Sequence, residues 1–528
     1  MKIRWFILLA IAATVLLTIP LDYVDADDDD DSDDGEGDNP NEFEIDGISY
    51  WINAEDPDTV RANQCFSEEK DIVIPPYVTN KGVTYKVVKI TSNFICYEPE
   101  TISIPYTVTE IEESTFICST LREINVDEDN LVYSSADGIL YDKGKSLMIK
   151  CPSAAEIETF IVPVTVTGFD VNCFRDCQSL ISIWIPNTIY MIPKGAFEGC
   201  TSLARINDDR LPDSVRMIGR SAFEGCTSLE KLDMPENLVY IEEEAFKGSG
   251  LKSFSINLFL GYIGVGAFSY CNNLERFNDS NSSYINIGGV LFVNKDNDLV
   301  LHTYPCGREG DIYTMPDNTT GLMNSSFTGT NHLKELELSP SVSVITNGAF
   351  VNCKSLEKIT IPGNIYMIGS SAFYGCNNLK ELEIKEGVIK IDSFAFAYCE
   401  MENVTIPTTV KYIEDNVFTD CTSLKTVDIN SPTLDIGGSA FAYCTSITEI
   451  NFYGTEVTFD RCTFEMMENE EQAIVSITKD VTLPDNLSDF NSDYKIVVFG
   501  ERPYPWENLI GVFFCALVIL LLLRFMRF

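Results

Sequence analysis

Seventeen cysteines and two histidines are the side chains of this chain that could carry nucleophilic, redox or metal chemistry. No two cysteines have the CxxC spacing of a zinc or redox site. Ser249, Thr330 and Met467 take the place of a cysteine in some repeats, so that position needs no partner thiol. Cys151 and Cys306, each beside a proline, are the better disulfide candidates if any disulfide forms. We therefore predict a buried column of unpaired thiols, made of nine cysteines that lie three residues after a phenylalanine: Cys177, Cys200, Cys226, Cys271, Cys353, Cys376, Cys399, Cys421 and Cys444.

Catalysis is not indicated by the remaining residue types. His302 and His332 cannot be matched to a serine or cysteine nucleophile by sequence position. The glycines form no phosphate-binding loop, and the carboxylates are so numerous that an acidic pair proves nothing. We predict a protein that is not an enzyme and has no cofactor or metal ion, although a closed acidic pocket would revive the enzyme alternative.

Phenylalanine recurs with a period of about 23 residues. Eleven of the thirteen gaps between these residues are 22 to 26 residues long, and the other two, 58 and 59, equal one period plus an insertion of about 35. A fixed period of this length is the signature of a solenoid, in which each repeat buries its apolar edge against its neighbours. The predicted ladder consists of Phe94, Phe116, Phe174, Phe197, Phe223, Phe246, Phe268, Phe327, Phe350, Phe373, Phe396, Phe418, Phe441 and Phe464.

One repeat shows how a coil is expected to fold. Ile359 and Ile361 alternate with polar residues, which indicates a strand with one buried face, and Pro362 ends it because proline has no N–H for the ladder. Ala372 and Phe373 then predict a tight helical turn. One parallel strand per repeat, with short helical turns, makes a mostly β solenoid. Each long gap holds two apolar segments around a polar turn, which predicts β-hairpin insertions at about 127–160 and 279–314.

The repeated motif I-P-x-x-V-x-x-I-x-x-x-A-F-x-x-C-x-x-L-x-x-I, seen from Ile185 to Ile206, resembles the BspA-like family of leucine-rich repeats. The resemblance covers roughly Phe43 to Phe464, and the coil with Gly248-Ser249-Gly250 departs from the motif. It implies a right-handed leucine-rich-repeat solenoid of about 14 repeats. The family is found on microbial surfaces and is associated with adhesion and protein binding, which the resemblance implies here as well.

The net charge of −43 argues against nucleic acid and anionic lipid as partners, because both require basic residues. Residues 1–26 carry an apolar run and small residues before Ala26, which predicts a secretory signal peptide; an uncleaved N-terminal anchor is the alternative. Residues 27–42 are rich in Asp and predict a disordered acidic segment, with calcium binding as the less favoured reading.

The C-terminal residues 506–528 hold an apolar run followed by arginines, which predicts a transmembrane helix with a short basic tail. A removed sorting signal is the alternative. The predicted protein is therefore secreted, membrane-anchored and single-pass, with its ectodomain outside the cell. The ectodomain divides into an N-terminal cap at 43–89, the repeats at 90–464, and a C-terminal cap and stalk at 465–505.

The outward positions of the predicted strands offer the binding face. Trp184, with Arg205 and Lys231 nearby, fits an interface hot spot, although packing of this tryptophan on the first hairpin is the simpler reading. An acidic track could favour a basic partner or cations, although a solvated face is simpler: Glu335, Glu337, Glu381, Glu383 and Asp428. We predict binding of a protein or a surface glycan, with an envelope spacer that has no ligand as the alternative function.

Overall fold

The computed structural model describes residues 41–94, 97–295, 298–454, 456–459, 463, 473–478 and 494–499. The predicted signal peptide, nearly all of the acidic segment and the predicted transmembrane helix lie outside these residues, as do Cys96 and Phe464. No helix in the described residues is long and apolar enough to cross a membrane. The chain forms two compact units, 1–43 and 44–528, and the following account concerns the second.

Every regular element in the described residues is a β-strand. The chain begins with the strands β1 (Glu42–Ile45), β2 (Ile48–Ile52), β3 (Thr59–Cys65), β4 (Asp71–Val73), β5 (Tyr77–Asn80) and β6 (Val83–Ile90). Here β2 and β3 pair antiparallel, and β3 pairs parallel with β6. Because β4 already pairs parallel with the first repeat strand, this N-terminal region is continuous with the ladder that follows.

Two ladders of strands run through the repeats. The front ladder contains the following strands: β4, β7 (Thr101–Ile104), β9 (Glu123–Val126), β13 (Thr159–Ile161), β15 (Ser182–Trp184), β17 (Arg205–Ile206), β20 (Ser253–Ser255), β22 (Arg276–Asn278), β26 (Ile312–Thr314), β28 (Glu335–Glu337), β30 (Lys358–Ile361), β32 (Glu381–Ile384), β34 (Asn403–Ile406), β36 (Thr426–Ile429), β38 (Glu449–Phe452), β40 (Ala473–Thr478) and β41 (Tyr494–Phe499). Its members pair in parallel within five groups, β4-β7-β9, β13-β15-β17, β20-β22, β26-β28-β30-β32 and β34-β36-β38-β40-β41, as in β30 with β32.

The back ladder contains short strands, most of which end on a buried aliphatic or aromatic residue, such as Ile368. Its members are β8 (Glu110–Ile111), β14 (Gly168–Phe169), β16 (Met191–Ile192), β18 (Met217–Ile218), β19 (Tyr240–Ile241), β21 (Tyr262–Ile263), β27 (Thr319–Leu322), β29 (Val344–Ile345), β31 (Met367–Ile368), β33 (Lys390–Ile391), β35 (Tyr412–Ile413), β37 (Thr433–Ile436) and β39 (Glu456–Phe459). The core lies between the two ladders, and the predicted solenoid of stacked parallel strands is confirmed.

The turn that carries the ladder phenylalanine is not helical, so the predicted helical turns are wrong for the described residues. Around Phe373, every second N–H bonds the next coil, as in Phe373 N–H to the Ala395 carbonyl at 2.7 Å. The N–H groups between them bond three residues back, and Ser371 has a φ of 53°. Because half of the N–H groups bond the neighbouring coil and both Ser371 and Gly375 are left-handed, an α-helical turn cannot form.

The ladder phenylalanines are buried and stack on one another from coil to coil. From Phe174 to Phe268, and again from Phe327 to Phe441, neighbouring ring centroids lie 4.8 to 5.5 Å apart. This spacing suits offset stacking of aromatic rings. It also matches the separation of neighbouring strands in a sheet, about 4.8 Å, so one ring fits each coil.

Each long gap contains three antiparallel strands, and the third joins the back ladder. The first set is β10 (Tyr133–Ala136), β11 (Ile139–Asp142) and β12 (Leu147–Lys150), and the second is β23 (Tyr284–Ile287), β24 (Val290–Lys295) and β25 (Asp298–Thr303). Strand β12 pairs parallel with β14, and β25 pairs parallel with β27. The added strands therefore belong to a full coil of the solenoid.

Cys151 and Tyr304 take the ladder position in these two coils. Their N–H groups bond the carbonyls of Cys173 and Ser326, each of which directly precedes the next ladder phenylalanine, at 2.8 Å. The Tyr304 ring stacks on that of Phe327 at 5.1 Å. Cys151 and Tyr304 each lie 23 residues before the next ladder phenylalanine, so the period of the repeat is kept from these residues onward. Only the segment between the preceding ladder phenylalanine and each of these two residues is lengthened.

The cysteines from Cys118 to Cys444 form no disulfide, and all but Cys118 are buried. Most thiols in the column donate to the carbonyl of a ladder phenylalanine in an earlier coil, as Cys376 does to Phe350 at 3.0 Å. Ser249 holds the same position, and its hydroxyl contacts the Cys271 thiol at 3.4 Å. The thiol at this position therefore acts as a small apolar group with one useful hydrogen-bond donor.

We expect the buried thiols to resist alkylation in the native protein. Burial raises the pKa of Cys271 to about 11, so little reactive thiolate exists at neutral pH. Maleimide labelling followed by site-resolved mass spectrometry should find Cys271 and Cys376 unmodified until denaturant is added. The half-exposed Cys118 is the matched control and should label in the native state. Native labelling of Cys271, or its recovery in a disulfide-linked peptide, would contradict this expectation.

Candidate binding surfaces

Trp184 lies on the front ladder beside a second exposed apolar side chain. Strand β15 alternates a buried Ile183 with outward neighbours, and Trp184 is 46% exposed. In the parallel register Trp184 lies opposite Ile161 of β13, which is 70% exposed. Two large apolar side chains on adjacent strands, open to solvent, can be covered by a partner.

Arg205 and Lys231 follow Trp184 in the next coils, but their charges are already paired. Both contact the same carboxylate, Asp209, at 3.7 Å, and Lys231 also lies 3.6 Å from Asp233. These pairs are exposed, so each contributes little stability and a partner could replace it. The apolar pair of Trp184 and Ile161 is thus bordered by cationic side chains that already form ion pairs in the free protein.

The predicted acidic track is interrupted by lysines. Lys358 lies 4.0 Å from Glu335 and 3.4 Å from Glu381. Lys385 bonds Glu383 at 2.9 Å and lowers the pKa of that carboxyl. Another carboxylate of the track, Glu337, accepts a hydrogen bond from Thr314 at 2.7 Å. Among the described residues no group of histidine, cysteine and carboxylate side chains could hold a metal ion.

Asp428, the last residue of the track, accepts bonds from Asn451 at 3.0 Å and from the hydroxyl of Tyr453 at 3.1 Å. The structure therefore places the predicted residues on one ladder, but in separate local groups. Trp184, Arg205 and Lys231 lie before the second long coil, whereas the carboxylates lie after it.

The back ladder carries an apolar stripe that was not predicted from the sequence. It is formed by outward residues that precede the buried isoleucine of each coil, including Tyr190 (64% exposed), Met191, Val239 and Tyr240. Tyr240 stacks on Tyr262 at 4.3 Å. The same position is apolar in later coils, at Tyr366, Ile389 and Tyr412. The sequence does contain a pattern that indicates this stripe. Y-M-I or Y-I recurs in several coils, and its isoleucine is the buried residue of the back strand.

The histidines have no arrangement typical of catalysis in the described residues. His302 is buried, with Nε2 2.9 Å from the Ile263 carbonyl and Nδ1 2.8 Å from Thr303 Oγ1. Burial lowers its pKa, so the neutral ring is the stable form. His332 is exposed beside the first residue of a front-ladder coil, Leu333. His302 therefore serves the packing of the second long coil.

Comparison with known proteins places this arrangement among bacterial repeat proteins. The profile of the BspA type leucine rich repeat region matches residues 83–142, 139–210, 206–305, 311–404 and 343–471. No curated protein sequence matches the chain.

Solved structures resemble the chain over most of its length. A leucine-rich repeat protein from Eubacterium ventriosum is 20% identical, with 69% of this chain and 98% of that one covered and a TM-score of 0.51. A leucine rich cell surface protein from Faecalibacterium prausnitzii is 25% identical, with coverage of 80% and 96% and a TM-score of 0.46. The pneumococcal vaccine antigen PcpA is 19% identical, with coverage of 87% and 98% and a TM-score of 0.41. The Eubacterium protein supports the same fold.

Proposed function

The chain belongs to the BspA-type leucine-rich-repeat family, and we propose that it is a cell-surface protein that binds a protein or another cell surface through its front ladder. The exposed pair Trp184 and Ile161 is the observation that carries this proposal. A tryptophan is the residue most enriched in interface hot spots, and an adjacent aliphatic side chain enlarges the area that a partner can desolvate.

The finer organisation is part of the same proposal. A right-handed solenoid of about 14 repeats at 90–464, with its N-terminal cap at 43–89, would present the front ladder outside the cell. A signal peptide at 1–26 would direct secretion and then be cleaved, which leaves an acidic segment at 27–42 at the start of the mature protein. A cap and stalk at 465–505 and a transmembrane helix at 506–528 would hold it at the membrane. A long ladder of exposed strand positions suits binding of a large partner better than catalysis.

Display of the full chain on a non-adherent bacterium tests the proposal. We expect saturable attachment to host cells or immobilised matrix proteins, and Trp184→Ala should weaken the affinity about 30-fold, as loss of a hot spot does. Tyr190→Ala is the matched control, because Tyr190 is an exposed aromatic residue directly before the back strand β16 and lies away from the front ladder. It should leave attachment unchanged.

Two results would contradict the proposal in different ways. Absence of saturable attachment to any surface would favour an envelope spacer without a ligand. Equal losses of affinity in Trp184→Ala and Tyr190→Ala would show that the front ladder is not the binding face.

A further inference from the structure

A groove opens on the turn side of the solenoid at the second long coil. It has a volume of about 370 Å³, and its lining includes Arg220, Glu244, Lys247, Ser269 and Tyr270. This volume falls in the range of small-molecule sites, about 300 to 1,000 Å³.

The groove lies where one coil has a shortened turn. In the other coils of this region the column cysteine follows the ladder residue by three positions, but Cys306 follows Tyr304 by two. The turns of the two coils on either side of the Tyr304 coil therefore contact each other directly. The Tyr270 N–H donates a hydrogen bond to the Thr328 carbonyl at 3.4 Å, past the coil that lies between them. The Tyr270 hydroxyl accepts a hydrogen bond from Asn352 at 2.8 Å, which holds its ring at the edge of the groove.

Ser269 supplies an independent sign of a ligand. Its side chain is 6% exposed, and its hydroxyl finds no hydrogen-bond partner among the described residues. Thr328 and Thr419 hold the same position in other coils, one residue after the ladder phenylalanine. Their hydroxyls donate to carbonyls of the next turn at 2.9 and 2.8 Å. Ser269 lacks this acceptor because the next coil is an extended strand, β25, at that point.

The charged side chains that line the groove are two cations, Arg220 and Lys247, and two carboxylates, Glu243 and Glu244, so the charges of the lining sum to zero. Lys247 bonds Glu244 at 2.8 Å and Glu224 at 3.2 Å, and Arg220 lies 3.7 Å from Glu244. Glu243, which also lines the groove, accepts a hydrogen bond from the Tyr262 hydroxyl at 2.8 Å. In a chain with a net charge of −43, this groove therefore favours neither an anion nor a cation.

We propose that this groove binds a neutral saccharide. An aromatic ring can stack on the apolar face of a sugar, and paired charged side chains and an unsatisfied hydroxyl offer donors and acceptors to its hydroxyl groups. A neutral ligand with many hydroxyls is the class that such a lining satisfies without leaving a charge unpaired. The inference rests on the proposed function, because it names a glycan component of the surface that the protein would contact.

Isothermal titration calorimetry of the full chain with lactose, maltose, cellobiose and chitobiose tests the proposal. At least one of these neutral disaccharides should bind, and 3′-sialyllactose, which carries a carboxylate, should bind no better than lactose. Ser269→Ala should weaken the affinity about tenfold, the effect of one lost hydrogen bond of ordinary strength. Because this hydroxyl has no protein partner in the described residues, the variant should keep the wild-type melting temperature.

Tyr270→Leu should weaken binding further through loss of the ring, and Thr419→Ala, at the same position of another coil, is the control that should bind normally. Absence of binding to all four sugars, preference for the sialylated sugar, or equal losses from Ser269→Ala and Thr419→Ala would overturn the proposal. A chain that attaches to cells through Trp184 but ignores these sugars contradicts this inference alone. A chain that binds a sugar through Ser269 but attaches to no surface contradicts the proposed function alone.

Discussion

Phe373→Ala is expected to lower the free energy of unfolding by about 3–5 kcal/mol, the usual cost of removing a buried aromatic ring. Phe373 is fully buried, and its ring stacks on Phe350 at 4.8 Å and on Phe396 at 5.2 Å. The substitution breaks both stacks and leaves a cavity between two coils. Because each coil of a solenoid contacts only its neighbours, the loss falls on the interfaces of this coil.

Urea unfolding followed by circular dichroism measures the total loss, and hydrogen exchange shows where it falls. We expect faster exchange around Phe350 and Phe396 and little change near Phe174. Phe259→Ala is the matched control, since Phe259 is 51% exposed and its removal should change the free energy by no more than about 0.5 kcal/mol. Similar losses for the two variants, or exchange that rises evenly along the chain, would show that the stack does not hold the coils together.

The repeat, the strand columns and the buried thiols could be predicted from the sequence because each depends on a side-chain pattern within one coil. Ile359 and Ile361 alternate with polar residues, and burial follows from that alternation alone. Cys376 is buried for the same reason, since its place in the coil is fixed by Phe373. Such features need no knowledge of how neighbouring coils contact one another.

The features that the sequence did not reveal depend on contacts between coils. The turn before Phe373 was predicted to be helical, which requires its backbone N–H groups to bond within the coil. Half of these N–H groups instead bond carbonyls of the next coil. Cys151 and Tyr304 were missed as ladder members because neither is a phenylalanine. Ser269 has an unpaired hydroxyl only because the coil beside it is extended there, which no local pattern records.

Gly387→Ala is expected to be the most damaging single substitution of a turn residue, because it combines backbone strain with a clash. Gly387 has a φ of 129°, a region that favours glycine, and a Cβ built there would lie 2.0 Å from the Gly363 carbonyl oxygen in the preceding coil. Gly363 is itself so close that its own Cβ would meet the Glu386 carbonyl oxygen at 2.3 Å. The two coils touch through bare backbone, so neither can yield by rotating a side chain.

Gly310→Ala separates the two contributions. Gly310 has nearly the same φ, 127°, but no described atom lies within 4 Å of its Cβ position. It should therefore lose only the cost of strain, about 1–3 kcal/mol. Gly387→Ala should lose roughly a further 1–3 kcal/mol from overpacking between coils, as measured by urea unfolding of both variants. The hydrogen exchange rate of Lys385, whose N–H bonds the Ile361 carbonyl at 3.0 Å, should also rise in Gly387→Ala but not in Gly310→Ala.

Equal losses of unfolding free energy at the two glycines would mean that the coils can separate at no cost. The close stacking of neighbouring turns would then contribute nothing to the stability of the solenoid.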